Sequence, residues 1–111
     1  MRRIDNYTHG SLQYNSKERM SVEDPSTGEV IGSVVLSNKE DFNQAIQSSK
    51  KAFNEWSNYT PLKRSRIISK FKENIEKNID ELAKVVSSEH GKTLDDAKGS
   101  VIRGLEVVEF A

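Results

Sequence analysis

Residues 89–93, Glu-His-Gly-Lys-Thr, are the stretch from which the fold of this chain is best read. Gly91 can end a helix in the left-handed conformation, because glycine has no Cβ to oppose a positive φ. His90 and Lys92 are placed to favour the negative end of that helix's dipole. Thr93 can then cap a new helix with its side-chain oxygen. The stretch therefore predicts two helices that meet at a glycine and a threonine.

The helix predicted after Thr93 has two carboxylates in its first turn, Asp95 and Asp96, which favour its positive end. Its apolar positions fall on one line: Ala97, Val101, Leu105 and Val108. Gly99 and Gly104 interrupt it, and each costs roughly 1 kcal/mol relative to alanine. Such a cost predicts the close approach of another backbone or of a ligand, with two tolerated surface glycines as the alternative.

The chain shows no helix stop after Val108: no Gly, Asn or Pro follows, and the last turn has no basic residue. We therefore expect residues 1–111 to be the front of a longer protein, truncated at 111. The apolar share of 34% fits this expectation, because so few apolar residues give the predicted helices a thin core of their own.

Three further helices are predicted before residue 91. Ser37 with Glu40 matches a capping box, and Thr60-Pro61 supplies a cap and a first-turn proline. Asn78 with Glu81 repeats the capping-box pattern. The apolar positions predicted to face inward are, helix by helix, Phe42, Ala45, Ile46, Ser49, Ala52, Phe53 and Trp56; Ile67, Ile68, Phe71 and Ile75; and Ile79, Leu82, Val85 and Val86.

The first 36 residues are typical of short strands. A hairpin is predicted between Ile4 and Tyr14, with its turn at His9-Gly10. Residues 16–19 are predicted to be loop. Two more strands, 20–23 and 30–36, flank a turn at 24–28 that contains Pro25 and Gly28. The chain thus divides into a β-hairpin region, 1–36, and a helical region, 37–111.

The composition and motifs of the chain argue against several classes of function. The chain has 17 basic and 17 acidic residues, so no net field favours nucleic acid or a membrane surface. It has no cysteine, which excludes a disulfide, a thiolate zinc site and a cysteine nucleophile within these residues. His9 and His90 do not suggest a shared metal site, and no glycine-rich phosphate loop is present. From the residues alone we therefore predict no metal site and no nucleotide-binding loop in this chain.

Arg103 is a candidate binding residue on the last predicted helix. It lies beside the apolar line of the last helix, and Gly99 and Gly104 leave its surroundings free of side chains. A guanidinium in this position can bind a carboxylate with two parallel hydrogen bonds. From spacing alone, an ion pair with Glu106 or Asp96 is the stronger alternative, since residues three or seven positions apart share a helix face.

Four motifs in this order resemble the amino-terminal part of the aldehyde dehydrogenase superfamily: residues 24–31 (DPSTGEVI), Ala52-Phe53 through Trp56, Arg64 and Arg66 before Ile67, and residues 89–93. Residues 103–111 (RGLEVVEFA) resemble its methylmalonate-semialdehyde dehydrogenase branch. The resemblance covers nearly the whole chain, although Asp24 precedes Pro25 where the family usually has asparagine. It implies an α+β fragment of an α/β enzyme, in which short strands and about four helices belong to an incomplete Rossmann-like coenzyme-binding domain.

The resemblance also implies an activity for the longer protein. An NAD-dependent enzyme of this branch oxidises methylmalonate or malonate semialdehyde to propionyl-CoA or acetyl-CoA, transferring the acyl group to coenzyme A through a cysteine thiolate. The cysteine and the coenzyme-contacting residues would lie after residue 111, so the chain alone is expected to be inactive. Arg103 matches the arginine that binds the substrate carboxylate, and this makes it the one predicted substrate-binding residue.

Two alternatives remain at this point. Another carboxylate-handling aldehyde dehydrogenase, such as one for succinate semialdehyde, uses the same chemistry, although residues 103–111 count against it. A helical interaction module that binds a partner through its apolar faces is the other. For the enzyme we expect a small-molecule semialdehyde as partner, a homo-oligomer, no nucleic acid and no membrane. The expected location is the cytoplasm, or the mitochondrial matrix in a eukaryote.

Overall fold

The computed structural model describes every residue, Met1–Ala111. Five short strands come first: β1 (Arg2–Ile4), β2 (Asn6–Thr8), β3 (Ser11–Gln13), β4 (Arg19–Glu23) and β5 (Val30–Val35). Four helices follow: α1 (Lys39–Trp56), α2 (Pro61–Lys77), α3 (Ile79–His90) and α4 (Leu94–Phe110). The predicted α+β class, with short strands followed by four helices, is confirmed.

The chain divides into two compact units. Unit 1 comprises residues 1–23 and 28–58, and unit 2 comprises residues 24–27 and 59–111. Unit 1 therefore holds all five strands and α1, whereas unit 2 holds α2, α3 and α4. The assignment of the whole chain to one coenzyme-binding domain stays a prediction.

The sheet of unit 1 has the strand order β1-β5-β4. The antiparallel pair β4 and β5 confirms the strands predicted around the turn at 24–28. The parallel pairing of β1 with β5 was not predicted. Gly32 makes this pairing possible, because a Cβ at that position would lie 2.8 Å from the carbonyl oxygen of Arg2. The central strand thus needs a glycine where β1 lies closest.

The predicted hairpin is present as the antiparallel pair β2 and β3. His9 and Gly10 form its two-residue turn with φ values of 53° and 75°. Two successive positive φ values match the right-handed twist of the flanking strands, which is why short hairpins favour them. His9 is thereby a turn residue.

The capping box of α1 is one residue later than predicted. Asn38, and not Ser37, is the N-cap: its Oδ1 accepts from the backbone N–H of Asp41, and the Asp41 carboxylate accepts from the backbone N–H of Asn38, each over 3.0 Å. Ser37 instead accepts a hydrogen bond from the side chain of Asn6 at 2.8 Å. Glu40 lies in the first turn without a capping role, so the predicted Ser37–Glu40 box is wrong.

The apolar face of α1 is exposed, although the sequence predicted that it would face inward. Phe42 is 64% exposed and Phe53 is 63% exposed. No strand packs extensively on α1 within unit 1, which leaves these two rings exposed, whereas Ala45 and Trp56 on the same face are half-buried. The same correction applies in unit 2 to Ile67 and Phe71, which are exposed on α2.

The beginning of α2 is as predicted: Thr60 caps it by accepting from the backbone N–H of Lys63, and Pro61 is its first residue. The predicted capping box at Asn78 and Glu81 is wrong. The Asn78 side chain donates to the carbonyl of Asn74 at 2.7 Å and makes no cap bond to α3. An asparagine that follows one helix directly can bond backward, and here that bond replaces the forward cap.

The core of unit 2 is small and lies where α4 packs against α3 and α2. Its buried apolar residues are Ala83, Ala97 and Leu105. Leu82 and Val85 were predicted to face inward but are exposed, because the helix interface runs along the Ala83 side of α3. The predicted apolar line of α4 is confirmed, since Ala97 and Leu105 are buried and Val101 and Val108 are half-buried.

Candidate functional site

The position of α4 is set by the turn before it. Gly91 adopts φ 82° and ends α3 in the left-handed conformation, as predicted. Thr93 then caps α4 by accepting from the backbone N–H of Asp96 at 3.2 Å. The Ser87 hydroxyl donates to the carbonyl of Lys92 at 2.7 Å and ties the turn back to α3. These bonds are local, which is why the sequence predicts both helix ends correctly.

Ion pairs attach α4 to its two neighbours. Lys98 Nζ lies 2.7 Å from Asp80 Oδ1 on α3, and the hydrogen bond from Lys98 holds the pKa of that carboxyl below its usual range. Lys72 Nζ on α2 lies 3.3 Å from Glu109 Oε1, and this hydrogen bond raises the pKa of the ammonium. These two ion pairs flank the apolar line of α4. The remaining face of the helix, which carries neither the ion pairs nor the apolar line, is therefore oriented away from the core.

Arg103 lies on that remaining face and is exposed. Its Nε donates to the carbonyl of Gly99 at 3.4 Å. It forms no ion pair with Glu106 or Asp96, so the alternative favoured by spacing alone is wrong. The guanidinium keeps most of its five N–H donors free for another group.

The two glycines of α4 leave open space around Arg103. A Cβ on Gly104 would have no neighbour within 4 Å, and one on Gly99 would meet only Nη2 of Arg103 at 3.9 Å. No other backbone of this chain approaches either glycine, so a backbone contact does not explain them here. A ligand beside Arg103 stays a prediction.

Lys92 is a second cation of this region. The sequence predicted only that it would favour the negative end of the α3 dipole. Its Nζ donates to Ser100 Oγ at 2.9 Å, across the start of α4. Ser100 Oγ in turn donates to the carbonyl of Asp96 at 3.3 Å. No local pattern indicates this contact, because it depends on how the turn at 91–93 directs the lysine along α4.

The structure contains no group of three or more His, Cys, Asp or Glu side chains arranged to hold a metal ion. His90 lies in the last turn of α3, and His9 lies in the β2–β3 turn. None of the four helices combines the length and the apolar character that crossing a bilayer requires.

The sequence model of the aldehyde dehydrogenase family matches residues 12–111. The chain belongs to the aldehyde dehydrogenase family. Its short strands and four helices correspond to the N-terminal part of that family's fold. The match includes all four sequence motifs, so the resemblance to this family is confirmed.

Similar proteins place the chain near one branch of the aldehyde dehydrogenase family. It is 44% identical, over 90% of its length, to a probable methylmalonate-semialdehyde/malonate-semialdehyde dehydrogenase (acylating) of Dictyostelium discoideum. It is 41% identical over its whole length to a malonate-semialdehyde dehydrogenase of Bacillus cereus. Among solved structures, a Sinorhizobium meliloti protein in complex with NAD matches 99% of the chain at 40% identity, with a TM-score of 0.95.

The chain spans only part of each similar protein. It covers 19% of the Dictyostelium protein and 23% of the Bacillus protein. It covers 23% of the Sinorhizobium chain. The likeness is therefore to one region of these enzymes, and Arg103 is the residue of this region for which the sequence predicted a function.

Proposed function

We propose that the protein containing this chain is a semialdehyde dehydrogenase that oxidises malonate or methylmalonate semialdehyde, and that Arg103 binds the substrate carboxylate. The names of the Dictyostelium and Bacillus proteins support the substrate class. The observation that carries the role of Arg103 is its exposed guanidinium, which has no ion pair although Glu106 lies three residues away on the same helix.

A carboxylate suits this guanidinium for a physical reason. Arginine presents N–H groups in a planar fork whose spacing matches the two oxygens of a carboxylate. Gly99 and Gly104 add no side chain that would block the approach. An uncharged aldehyde of the same length lacks the group that the fork recognises, so Arg103 would select the charged substrate.

We propose NAD as the oxidant and coenzyme A as the acyl acceptor, on the strength of the NAD-bound Sinorhizobium structure and of the word "acylating" in the name of the Dictyostelium protein. Three of the four helix N-termini of this chain do not suit the phosphates of either coenzyme. No glycine-rich phosphate loop is present, and the first turns of α1, α3 and α4 each carry two carboxylates, which oppose a phosphate. With no cysteine here either, the thiolate and both coenzyme sites would come from other residues.

The experiment compares aldehydes that differ in charge and length. The protein containing this chain is assayed with malonate semialdehyde, succinate semialdehyde and propanal in the presence of NAD and coenzyme A. We expect malonate semialdehyde to have the highest kcat/KM. A preference for succinate semialdehyde would assign the protein to another carboxylate-handling branch. The absence of oxidation with all three would refute an enzymatic role and favour an interaction module.

The role of Arg103 is tested in the same assay with Arg103→Ala. We expect kcat/KM for malonate semialdehyde to fall by about tenfold to a hundredfold, as is typical when a hydrogen bond to a charged group is lost. The value for propanal should stay within about twofold, because its binding uses no such bond. Arg66→Ala, on α2, is a control that removes a guanidinium elsewhere. Equal losses for both aldehydes would contradict the assignment.

A further inference from the structure

Lys92 differs from three other lysines of unit 2. Lys72, Lys84 and Lys98 each lie within 4.0 Å of a carboxylate. Lys92 is half-buried and forms no ion pair, although Asp95 and Asp96 follow it closely in sequence. Its ammonium instead donates to the Ser100 hydroxyl oxygen at 2.9 Å.

Ser100 holds the ammonium in a defined place. Its hydroxyl has one proton, which it donates to the carbonyl of Asp96, and its oxygen accepts from Lys92. A lysine ammonium has three N–H donors, so two remain for another acceptor. The chain of bonds from Asp96 through Ser100 to Lys92 therefore fixes a cation and leaves part of its hydrogen-bonding capacity unused.

Ser100 and Arg103 are three residues apart on α4, so they are neighbours on one helix face, with Cβ atoms about 5–6 Å apart. Gly99 lies beside them and contributes no side chain. We call Lys92, Gly99, Ser100 and Arg103 the cationic face. Two positive charges share this face without a carboxylate partner for either. Like charges on one surface repel each other, and an anion bound by both removes the repulsion.

We propose that Lys92 is a second carboxylate-binding residue of the cationic face, positioned by Ser100 and acting together with Arg103. This inference rests on the proposed function, because the anion it assigns is the carboxylate of the semialdehyde. A carboxylate has two oxygens and accepts from both cations at once. Lys92 thus adds to the selection of a charged over an uncharged aldehyde.

The test uses Lys92→Met, which keeps the length of the side chain and removes its charge, in the protein that contains this chain. We expect KM for malonate semialdehyde to rise about threefold to tenfold, in line with one partly exposed charge pair, and kcat/KM for propanal to stay unchanged. Lys92→Arg should retain most of the selectivity. Lys70→Met on α2 removes an exposed lysine elsewhere and should alter neither aldehyde.

Ser100→Ala separates positioning from charge. It keeps Lys92 but removes the oxygen that holds its ammonium, so we expect an intermediate rise in KM for malonate semialdehyde only. A purely structural role for Lys92 would instead change both aldehydes equally and lower the melting temperature of Lys92→Met. That result would overturn the proposal, as would an unchanged KM for malonate semialdehyde in Lys92→Met.

A binding measurement tests whether Lys92 binds a carboxylate, and it needs no enzymatic turnover. Malonate, a stable dianion, is added to the unchanged protein and to Lys92→Met, with sodium chloride at equal ionic strength as the control, and the melting temperature is recorded. We expect malonate to raise the melting temperature of the unchanged protein more than that of Lys92→Met. Equal shifts would refute the role of Lys92 even if no aldehyde is oxidised. Selective losses with Arg103→Ala but not with Lys92→Met would refute this inference and leave the proposed function standing.

Discussion

Arg19 Nη1 donates to Asp5 Oδ1 over 2.6 Å and joins β4 to the residue that follows β1. The same guanidinium donates from Nη2 to the carbonyls of Ile4 and Ser33, each over 3.0 Å. One side chain therefore bonds groups at β1 and β5 from its place on β4. The edge strand β1, only three residues long, depends on this arginine as well as on its pairing with β5.

Asp5→Asn should loosen β1. The substitution removes the counter-ion of Arg19 and leaves its bond to the Ile4 carbonyl, so β1 loses one of its attachments. We expect faster amide hydrogen exchange at β1 and little change in α2–α4. Glu23→Gln, at an exposed carboxylate on β4, is the matched control and should leave the exchange of β1 unchanged. Equal exchange in the two variants would contradict the anchoring role.

The same ion pair predicts an acid-sensitive sheet. The hydrogen bond from Arg19, with a second from Arg3, holds the pKa of Asp5 below its usual range. Because the folded pKa is lower than the unfolded one, the stabilisation is complete above the unfolded value of about 4 and is lost as the pH falls through the folded value. The protection of the β1 amides against hydrogen exchange, relative to an unstructured peptide at the same pH, should fall below about pH 4, and Asp5→Asn should abolish that pH dependence.

Asp41 anchors the loop before β4 to the start of α1. Its buried carboxylate accepts from the backbone N–H groups of Asn15 at 2.6 Å, Ser16 at 3.2 Å and Asn38 at 3.0 Å. These bonds, that from Asn38 foremost, hold the pKa of Asp41 below its usual range. The carboxylate therefore serves the helix cap and the loop at the same time.

Asp41→Asn should lower the melting temperature by several degrees. The amide replaces one accepting oxygen by an NH₂ group, which leaves at least one buried N–H without a partner. Glu40→Gln changes an exposed carboxylate in the same turn and is expected to have a much smaller effect. Thermal melting of the two variants side by side checks this, and a drop in Glu40→Gln as large as in Asp41→Asn would contradict it.

The structural features that the sequence predicted are those set by neighbouring residues. Gly91, Thr93 and Thr60-Pro61 act within one helical turn, and each is where the sequence placed it. The start of α1 was misplaced by one residue because Ser37 with Glu40 and Asn38 with Asp41 have the same capping-box spacing, and the bonds from Asn15 that also hold Asp41 come from 26 residues earlier in the chain. Strand β1 was missed because its parallel pairing with β5 is equally non-local.

In the candidate site, too, the sequence predicted the local features and not the contacts that depend on the fold. The helical face of Arg103 follows from a spacing of 3.6 residues, and the structure has that face exposed. The lack of an ion pair could not be read from spacing, since Glu106 is at a favourable distance in sequence. The contact of Lys92 with Ser100 depends on the turn at 91–93, so it required the three-dimensional structure.

Ala97 tests how tightly α4 packs in unit 2. Its side chain is completely buried in the core that α4 forms with α3 and α2. Ala97→Leu should destabilise the protein by about 1–3 kcal/mol, the usual cost of overpacking a core. Val107→Leu, on an exposed position of the same helix, should be nearly neutral. Urea denaturation of both variants measures the difference, and equal midpoints would show that the α3–α4 interface adapts.

Gly91 and Gly104 should respond in opposite directions to the same substitution. At Gly91 an alanine would have to adopt φ 82°, and its Cβ would lie 2.8 Å from Cγ of Pro25. Left-handed backbone alone costs a residue with a side chain about 1–2 kcal/mol, and the contact with the proline adds to this. We therefore expect Gly91→Ala to lower the melting temperature and to disturb the turn at residues 24–27.

At Gly104 the backbone is helical and a Cβ would have no neighbour within 4 Å, so Gly104→Ala should stabilise α4 by up to about 1 kcal/mol. If the glycine instead keeps space for a substrate next to Arg103, the gain in stability will be accompanied by a higher KM for malonate semialdehyde and an unchanged KM for propanal. Thermal melting and the two-aldehyde assay on this one variant separate these effects. A gain in stability with no change in either KM would mean that the open space at Gly104 is not used by the substrate.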